Sequence, residues 1–358
     1  MVPYVLTLLF AYSYGWLAKR FGIIKNKQFI NNKYFIFPVL ITLILISGLR
    51  FMNALYSDEW IYRSDYAKIG NMDFKDIFSL KIEPGFALLN WALYKISIQP
   101  QFLIFICAAI TNTLIVLTIA KFSEKFELSI LLYICIGFYF TSFNIMRQYL
   151  AISIVFWAIR YLGKGKFIKY LISILVASTF HFSALIMIPT YLIYKGRAWT
   201  KWTILTMVSG VTFTVSFAIL VNILEAALAN TKYSDYLKTL TEGYYGVNIL
   251  RILIFIIPLF PLFIWRVPLK KIYSNSDHLV NLYVIGVIFM LLSSNYVFIA
   301  RIADYFTIFS VLLIPKLTAL FKKSSFNQLI YFGIMVCYMT FFYYQISNSA
   351  GYTSIFSI

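Results

Sequence analysis

Two arginines, one histidine and a few carboxylates stand where this 358-residue chain could do chemistry. Arg147, in "TSFNIMRQ", and Arg301, in "ARIADYF", are each the sole basic residue of a turn flanked by apolar sequence. A guanidinium presents a planar fork of donors that suits phosphate bidentately. His181, in "FHFSALIMIPTY", interrupts a run that otherwise reads as membrane-spanning and is one of only two histidines. An imidazole near neutral pH accepts a proton from a hydroxyl or holds one by hydrogen bond. The combination suits transfer from a phosphate-type leaving group to a hydroxyl. Arg50 and Arg251, at the ends of apolar runs, extend the cation set, with a plainer reading as interfacial anchors that snorkel to headgroups. Asp58 and Glu83 lie in the first long polar connection, either as solvated charges or as a base. Asp304 is expected to pair with Arg301, three residues earlier on the same helix face.

The elements that must position these groups are membrane helices. The chain is 61% hydrophobic and 12% charged, with a mean hydropathy of +0.81, whereas a soluble domain carries roughly 25% charged residues. Apolar runs predict spans at 3–18, 34–50, 100–120, 128–143, 147–162, 202–224, 249–266, 279–297, 301–321 and 327–346. The segment 84–97 predicts a half-length or interfacial helix. The fold expected is an all-α polytopic transmembrane bundle of about 11–12 membrane segments. No repeat, low-complexity tract or Pro/Gly linker divides it, so 1–358 reads as one membrane domain. The first apolar run lacks a basic n-region and a small-residue cleavage site and reads as the first span.

Basic residues decide the ambiguous segment 168–194. If it turns back near His181, then 20 of the 31 Lys and Arg fall in six short loops on one face. These include "KRFGIIKNKQFINNK", Lys195–Arg197–Lys201 and Arg266–Lys270–Lys271, while 10 of the 13 acidic residues fall opposite. If the segment crosses once, that asymmetry largely disappears. Positive loops face the cytoplasm, which puts the N-terminus and the long connections 51–83 and 225–248 outside. Each hairpin arm of about 13 residues reaches roughly 20 Å, short of the roughly 30 Å hydrocarbon core. His181 would sit at a re-entrant tip, in an outward depression walled by protein, facing the same side as Arg147, Arg301, Arg50, Arg251, Asp58 and Glu83.

Other chemistries find little support. Cys107, Cys135 and Cys337 lie in apolar runs at unrelated spacings, which suits packing better than a disulfide or metal framework. No metal constellation, Walker loop, GxSxG or HExxH occurs, and His278 falls in a predicted inner loop, so neither a metal nor a cofactor is expected. The net charge of +18 sits in loops between spans and reads as topology rather than nucleic-acid binding. Two other functions make different demands on the sequence. A lipid-linked-sugar flippase predicts inverted repeats, and a polysaccharide acyltransferase predicts a histidine near the inner face.

The chain resembles the EpsG family of bacterial membrane proteins, grouped with Wzy-type polysaccharide polymerases. The resemblance runs from about Arg50 to Pro315 and is carried by "SDEWIY", "EPGFALLN", "RQYLAISI", "FHFSALIMIP" and "RIADYF". Two Wzy patterns also fit: Arg147 with Gly163 after fifteen intervening residues, and His181 with Pro189-Thr190-Tyr191 after seven. At 1.5 Å per residue only Arg147 and His181 belong at the outer site, Gly163 ending its helix and Tyr191 lying deeper. Where the family's first loop more often has glycine before the aspartate, this chain has Ser57. The resemblance implies a metal-independent glycosyltransferase joining undecaprenyl-diphosphate-linked oligosaccharide units at the outer leaflet of the bacterial cytoplasmic membrane. His181, with Glu83 or Asp58 as substitutes, would handle the acceptor hydroxyl, and Arg147, Arg301, Arg251 and Arg50 the diphosphate. Partners implied are the lipid-linked donor and acceptor, membrane lipid and a chain-length regulator protein.

Overall fold

The computed structural model describes residues 2–25, 28–51, 58–194, 196–228, 246–274, 276–318, 320, 325–348 and 352. Among them the chain is helical apart from one antiparallel ribbon, β1 (Ile23–Lys25) and β2 (Gln28–Ile30). The residues gather in two compact units, Met1–Tyr191 with Val311–Ile358, and Leu192–Ser310.

The first unit contains α1 (Val2–Arg20), α2 (Lys33–Gly48), α3 (Glu59–Gly70), α4 (Pro84–Tyr94), α5 (Pro100–Phe122), α6 (Phe126–Cys135), α7 (Phe138–Asn144), α8 (Met146–Leu162) and α9 (Phe167–Ser178). Helix α1 packs on α2 and α6, α2 on α5, α5 on α8, and α8 on α9. Local chemistry sets several starts. Asn32 caps α2 by accepting from the Tyr34 amide at 3.0 Å. Pro84 and Pro100 open α4 and α5, where a missing N–H costs nothing. The described part of the stretch 51–83, expected as a long loop, folds locally into α3 and a short 3-10 turn at Asp76–Ser79. The described part of this unit is completed by α10 (Thr190–Tyr194), whose last residues cross its boundary, α17 (Ser310–Thr318) and α18 (Ser325–Ser347).

The second unit holds α11 (Lys201–Leu228), α12 (Ile249–Ile256), α13 (Leu259–Ile264), α14 (Arg266–Ile272), α15 (Ser276–Leu292) and α16 (Val297–Thr307). Helix α15 packs against α11, α12 and α16. His278 sits inside α15 rather than in a loop. Lys27, Lys195, Lys322, Lys323 and most of the expected outer loop 225–248 lie outside the described residues.

Each of the ten expected spans coincides with a helix or a pair of helices. Breaks within them were not legible. Among the described residues α5 and Phe326–Ser347 are long and apolar enough to cross a membrane in one piece, and up to five spans arise if each bent pair counts as one. The first break falls at Gly137, whose φ of +103° lies in the left-handed region, and α6 and α7 meet there at 46°. Gln345 of α18 donates to the Cys135 carbonyl across this break at 3.1 Å. Backbone freed at membrane depth needs such a partner.

Residues 168–194 form a hairpin. Helix α9 stops at Ser178, His181 is extended, and a 3-10 segment Phe182–Met187 returns towards α10. The Tyr170 hydroxyl donates to the Met187 carbonyl at 2.8 Å and lies 2.7 Å from Thr190 Oγ1. Tyr191 donates to the Gly165 carbonyl at 2.9 Å, and its ring lies 4.7 Å from that of Phe167. The Pro-Thr-Tyr sequence therefore closes the base of the hairpin, and His181 is left at its tip. Gly163 follows α8 as its C-cap. Tyr170→Phe removes one of the two hydroxyls that tie the arms, and we expect it to cost about 1 kcal/mol, read as a lowered thermal midpoint in detergent; an unchanged midpoint would mean that the Tyr191 bond and apolar packing hold the arms without it.

Candidate functional site

The hairpin tip is met by the start of α4. Both N–H groups that open this helix, at Gly85 and Phe86, donate to the Thr179 carbonyl, at 2.8 and 3.2 Å. Helix starts leave such donors without internal partners. The approach requires glycine, because a Cβ at residue 85 would lie 2.3 Å from Thr179 Oγ1 and 2.8 Å from the Thr179 carbonyl oxygen. Glu83, just before the helix, returns the favour: its Oε1 accepts from the Phe182 amide at 3.4 Å. "EPGF" and "TFHF" thus cap one another.

Glu83 also joins two of the site residues expected from the sequence. Its Oε1 lies 2.7 Å from His181 Nδ1, and its Oε2 accepts from an Arg147 guanidinium nitrogen at 2.7 Å. Arg147 is the second residue of α8, placed there by the break at Ile145 between α7 and α8. Its guanidinium lies 5.9 Å from the Tyr62 ring centroid and 5.7 Å from that of Phe86, a cation–π floor. Below it, Tyr62, Phe86, Met146 and Leu150 belong to one apolar cluster with Tyr66, Leu103 and Cys107. The Arg147 and His181 side chains remain 31% and 30% exposed, whereas Glu83 is 13% exposed.

Glu83 is therefore the inner tie, and the Arg147 and His181 side chains are the more accessible pair. Burial raises the Glu83 carboxyl, but the hydrogen bond from His181, its backbone bonding and the Arg147 charge outweigh this and pull it down from 4.5 to about 2. A carboxylate held on Nδ1 favours the tautomer with its proton there, which leaves Nε2 as an acceptor.

The remaining candidates divide. The Asp58 amide donates to Asn144 Oδ1 at 2.7 Å, which moors the start of α3 three residues before Arg147. Arg50 is a correction. Its residue is 1% exposed, its Nε lies 3.1 Å from Glu59 Oε2, and a second nitrogen donates to the Phe143 carbonyl at 2.9 Å. Glu59, also buried, takes two bonds from Arg63, at 2.9 and 2.7 Å, and Arg63 reaches Gln101 Oε1 at 2.6 Å. Arg50 is thus enclosed where a lipid diphosphate has no access, as part of a network joining α2, α3, α5 and α7. In the second unit the Arg251 guanidinium, from 53 residues away, lies 3.4 Å from the buried carboxylate of Asp304; sequence spacing had assigned that carboxylate to Arg301. Arg301 is exposed on α16. Sequence reasoning missed the roles of Tyr62 and Phe86, although the i, i+4 spacing from Asp58 to Tyr62 and the turn "EPGF" were visible signals.

This arrangement defines a class: a multi-pass helical membrane protein with an Arg–Glu–His cluster at the tip of a broken hairpin. The EpsG family model matches residues 33–357, and the chain belongs to that family. Membership supports, at family level, a polymerase-like role in polysaccharide biosynthesis. No curated protein and no solved structure matches the chain.

Two outcomes follow. The folded Glu83 carboxyl titrates near 2 and its free form near 4.5, so the tie contributes its full stability above about pH 4.5 and loses it as pH falls towards 2. The thermal-midpoint difference between wild type and Glu83→Gln should therefore be flat near neutrality and shrink over that acid window; a difference independent of pH there would refute the ionised tie. Arg50→Ala takes one of two cations from the buried Glu59 and leaves Arg63 as the other; breaking a buried pair costs at most about 3–5 kcal/mol, so folded yield should fall more than with Arg147→Ala. A well-folded Arg50→Ala protein that loses only activity would return Arg50 to the substrate site.

Proposed function

We propose that this protein is a polysaccharide polymerase that joins undecaprenyl-diphosphate-linked oligosaccharide units at the outer leaflet of the bacterial cytoplasmic membrane. The observation that carries this reading is one carboxylate, Glu83, holding a guanidinium and an imidazole at 2.7 Å each. Both partners are partly exposed beside one another, and the two halves of the transfer need them. In this reading the acceptor sugar's hydroxyl oxygen attacks the anomeric carbon of the donor. The bond from that carbon to the diphosphate oxygen breaks, and the diphosphate leaves with the electron pair. The hydroxyl proton passes to His181 Nε2 as the new bond forms.

Arg147 meets the charge developing on the leaving group, where a fixed cation contributes most. Glu83, with its low pKa, is a weak base and serves to orient both groups. Asp58 remains a proposed helper at the start of α3, and Arg251 and Arg301 are proposed diphosphate cations within the second unit. The transfer is proposed as metal-independent because Arg147 supplies the cation the leaving group needs. The positive-inside bias supports an outward-facing tip. A chain-length regulator protein is proposed as a partner.

The test is incubation of purified protein with lipid-linked repeat units and a gel readout. A ladder is expected, and it should persist in chelator; its loss in chelator would remove the metal-independent part of the reading. Arg147→Ala and His181→Ala should each lower polymer formation by about 100-fold or more, with Arg147→Lys partly active. If both alanine variants make polymer of unchanged length and yield, the assignment fails.

A further inference from the structure

The second unit carries a basic cleft that the proposed transfer does not use. It has a volume of about 430 Å³ and is walled by Arg197, Trp199, Arg266, Lys270, Lys271 and Asp277. Its cations come from two connections, the one leading into α11 and helix α14 itself, some 70 residues apart in the chain. In sequence each reads only as an inner loop. Folding puts both on the walls of one cavity.

The cleft is built rather than incidental. Asn281 of α15 donates to the Ile193 and Gly196 carbonyls at 3.2 and 2.9 Å and fixes the first wall. Trp199 holds a left-handed φ of +58°, uncommon for a bulky residue. Its ring stands edge-on to Phe263 at 5.1 Å. Arg266 lies 4.4 Å from the same Phe263 ring and donates to the Phe263 carbonyl at 3.0 Å. The one acid, Asp277, is taken by Lys270 at 2.5 Å. Among the described residues no carboxylate lies within ion-pair distance of Arg197, Arg266 or Lys271, and four cations face one anion.

The surroundings identify the class of anion. Helix α14 leaves the axis of the preceding segment Ile249–Ile264 by 78°. Beside its cations it exposes Val267, 70%, and it follows the exposed Phe260 and Ile264. Cations set next to exposed apolar side chains, at the end of a hydrophobic segment, match the boundary where lipid phosphates meet acyl chains. Arg251 lies at the opposite end of the α12–α13 stretch, about 22 Å away along a helix of that length, so the cleft is remote from the Arg251–Asp304 pair. We infer that this cleft is a binding site for the phosphate headgroup of an anionic membrane lipid, on the side of the membrane opposite that pair.

The test titrates the full-length protein in detergent with phosphatidylglycerol, with phosphatidylcholine of the same acyl chains, and with inorganic phosphate, reading thermal midpoint and bound lipid by intact-complex mass measurement. Saturable binding of phosphatidylglycerol is expected, with an affinity about tenfold or more above that for phosphatidylcholine. Arg197→Gln with Lys271→Gln should erase that preference. Asp277→Asn, which releases Lys270 and adds net positive charge, should tighten binding several-fold. Equal binding of the two lipids, or a double variant that titrates like wild type, would overturn the inference. If inorganic phosphate displaces phosphatidylglycerol at comparable concentration, the cleft is a soluble-anion site and the lipid assignment falls. If the double variant does not fold, Asp277→Asn alone decides, and an unchanged or weaker affinity refutes the site.

Discussion

Glu83 is the joint on which the described part of the first unit's site depends. A carboxylate this enclosed must be compensated by donors, and it finds three: an imidazole, a guanidinium and the Phe182 amide. These donors and the carboxylate come from three separate breaks in the helical pattern. His181 and Phe182 belong to the hairpin tip, Arg147 to the restart of the chain after Ile145, and Glu83 itself to the entry of α4. The Thr179 carbonyl completes the exchange by accepting the first amides of α4. Interrupted helices are costly at membrane depth unless their freed backbone is paired, and here the interruptions pair with one another.

A second polar network serves the frame rather than the surface. Arg50, Glu59, Arg63 and Gln101 connect four helices through an enclosed Arg50–Glu59 pair that runs out to the partly buried Arg63 and Gln101. Arginine suits such a hub because one guanidinium can address a carboxylate and backbone carbonyls together. The contrast with Arg147 lies in exposure and partner rather than residue type. Both sit beside carboxylates and aromatic rings, yet Arg50 is consumed by its surroundings and Arg147 keeps about a third of its side chain accessible.

Much of the fold was legible because its signals are local. The ten apolar runs map onto helices, since each needs only a window of sequence to declare itself. The hairpin at 168–194 was legible for a less local reason: the basic residues of all later loops keep to one face only if the chain turns back. Breaks at Gly137 and Ile308–Phe309 were not; at Gly137 the partner that makes the break tolerable comes from far along the chain, as Gln345 donates to the Cys135 carbonyl. The site was half legible. Arg147, His181 and Glu83 stood out as polar groups in improbable places, but nothing in their spacing said that 64 residues separate one ion-pair partner from the other. Asp304 shows the limit directly: no short-range spacing rule leads to Arg251, 53 residues away, which the fold brings to its carboxylate.

The amino-acid sequence by itself determined the class of this protein, the course of its spans, the bias of its charges and the short list of reactive side chains. These depend on composition and on periodicities of a few residues, which any folding of the chain must respect. The tertiary structure alone decided which arginine is walled in and which is presented. It also decided that Glu83 rather than water holds His181, and that two distant basic loops share one cleft. Those outcomes rest on contacts between segments far apart in the chain, where burial and pairing set the role of a charge and residue identity does not.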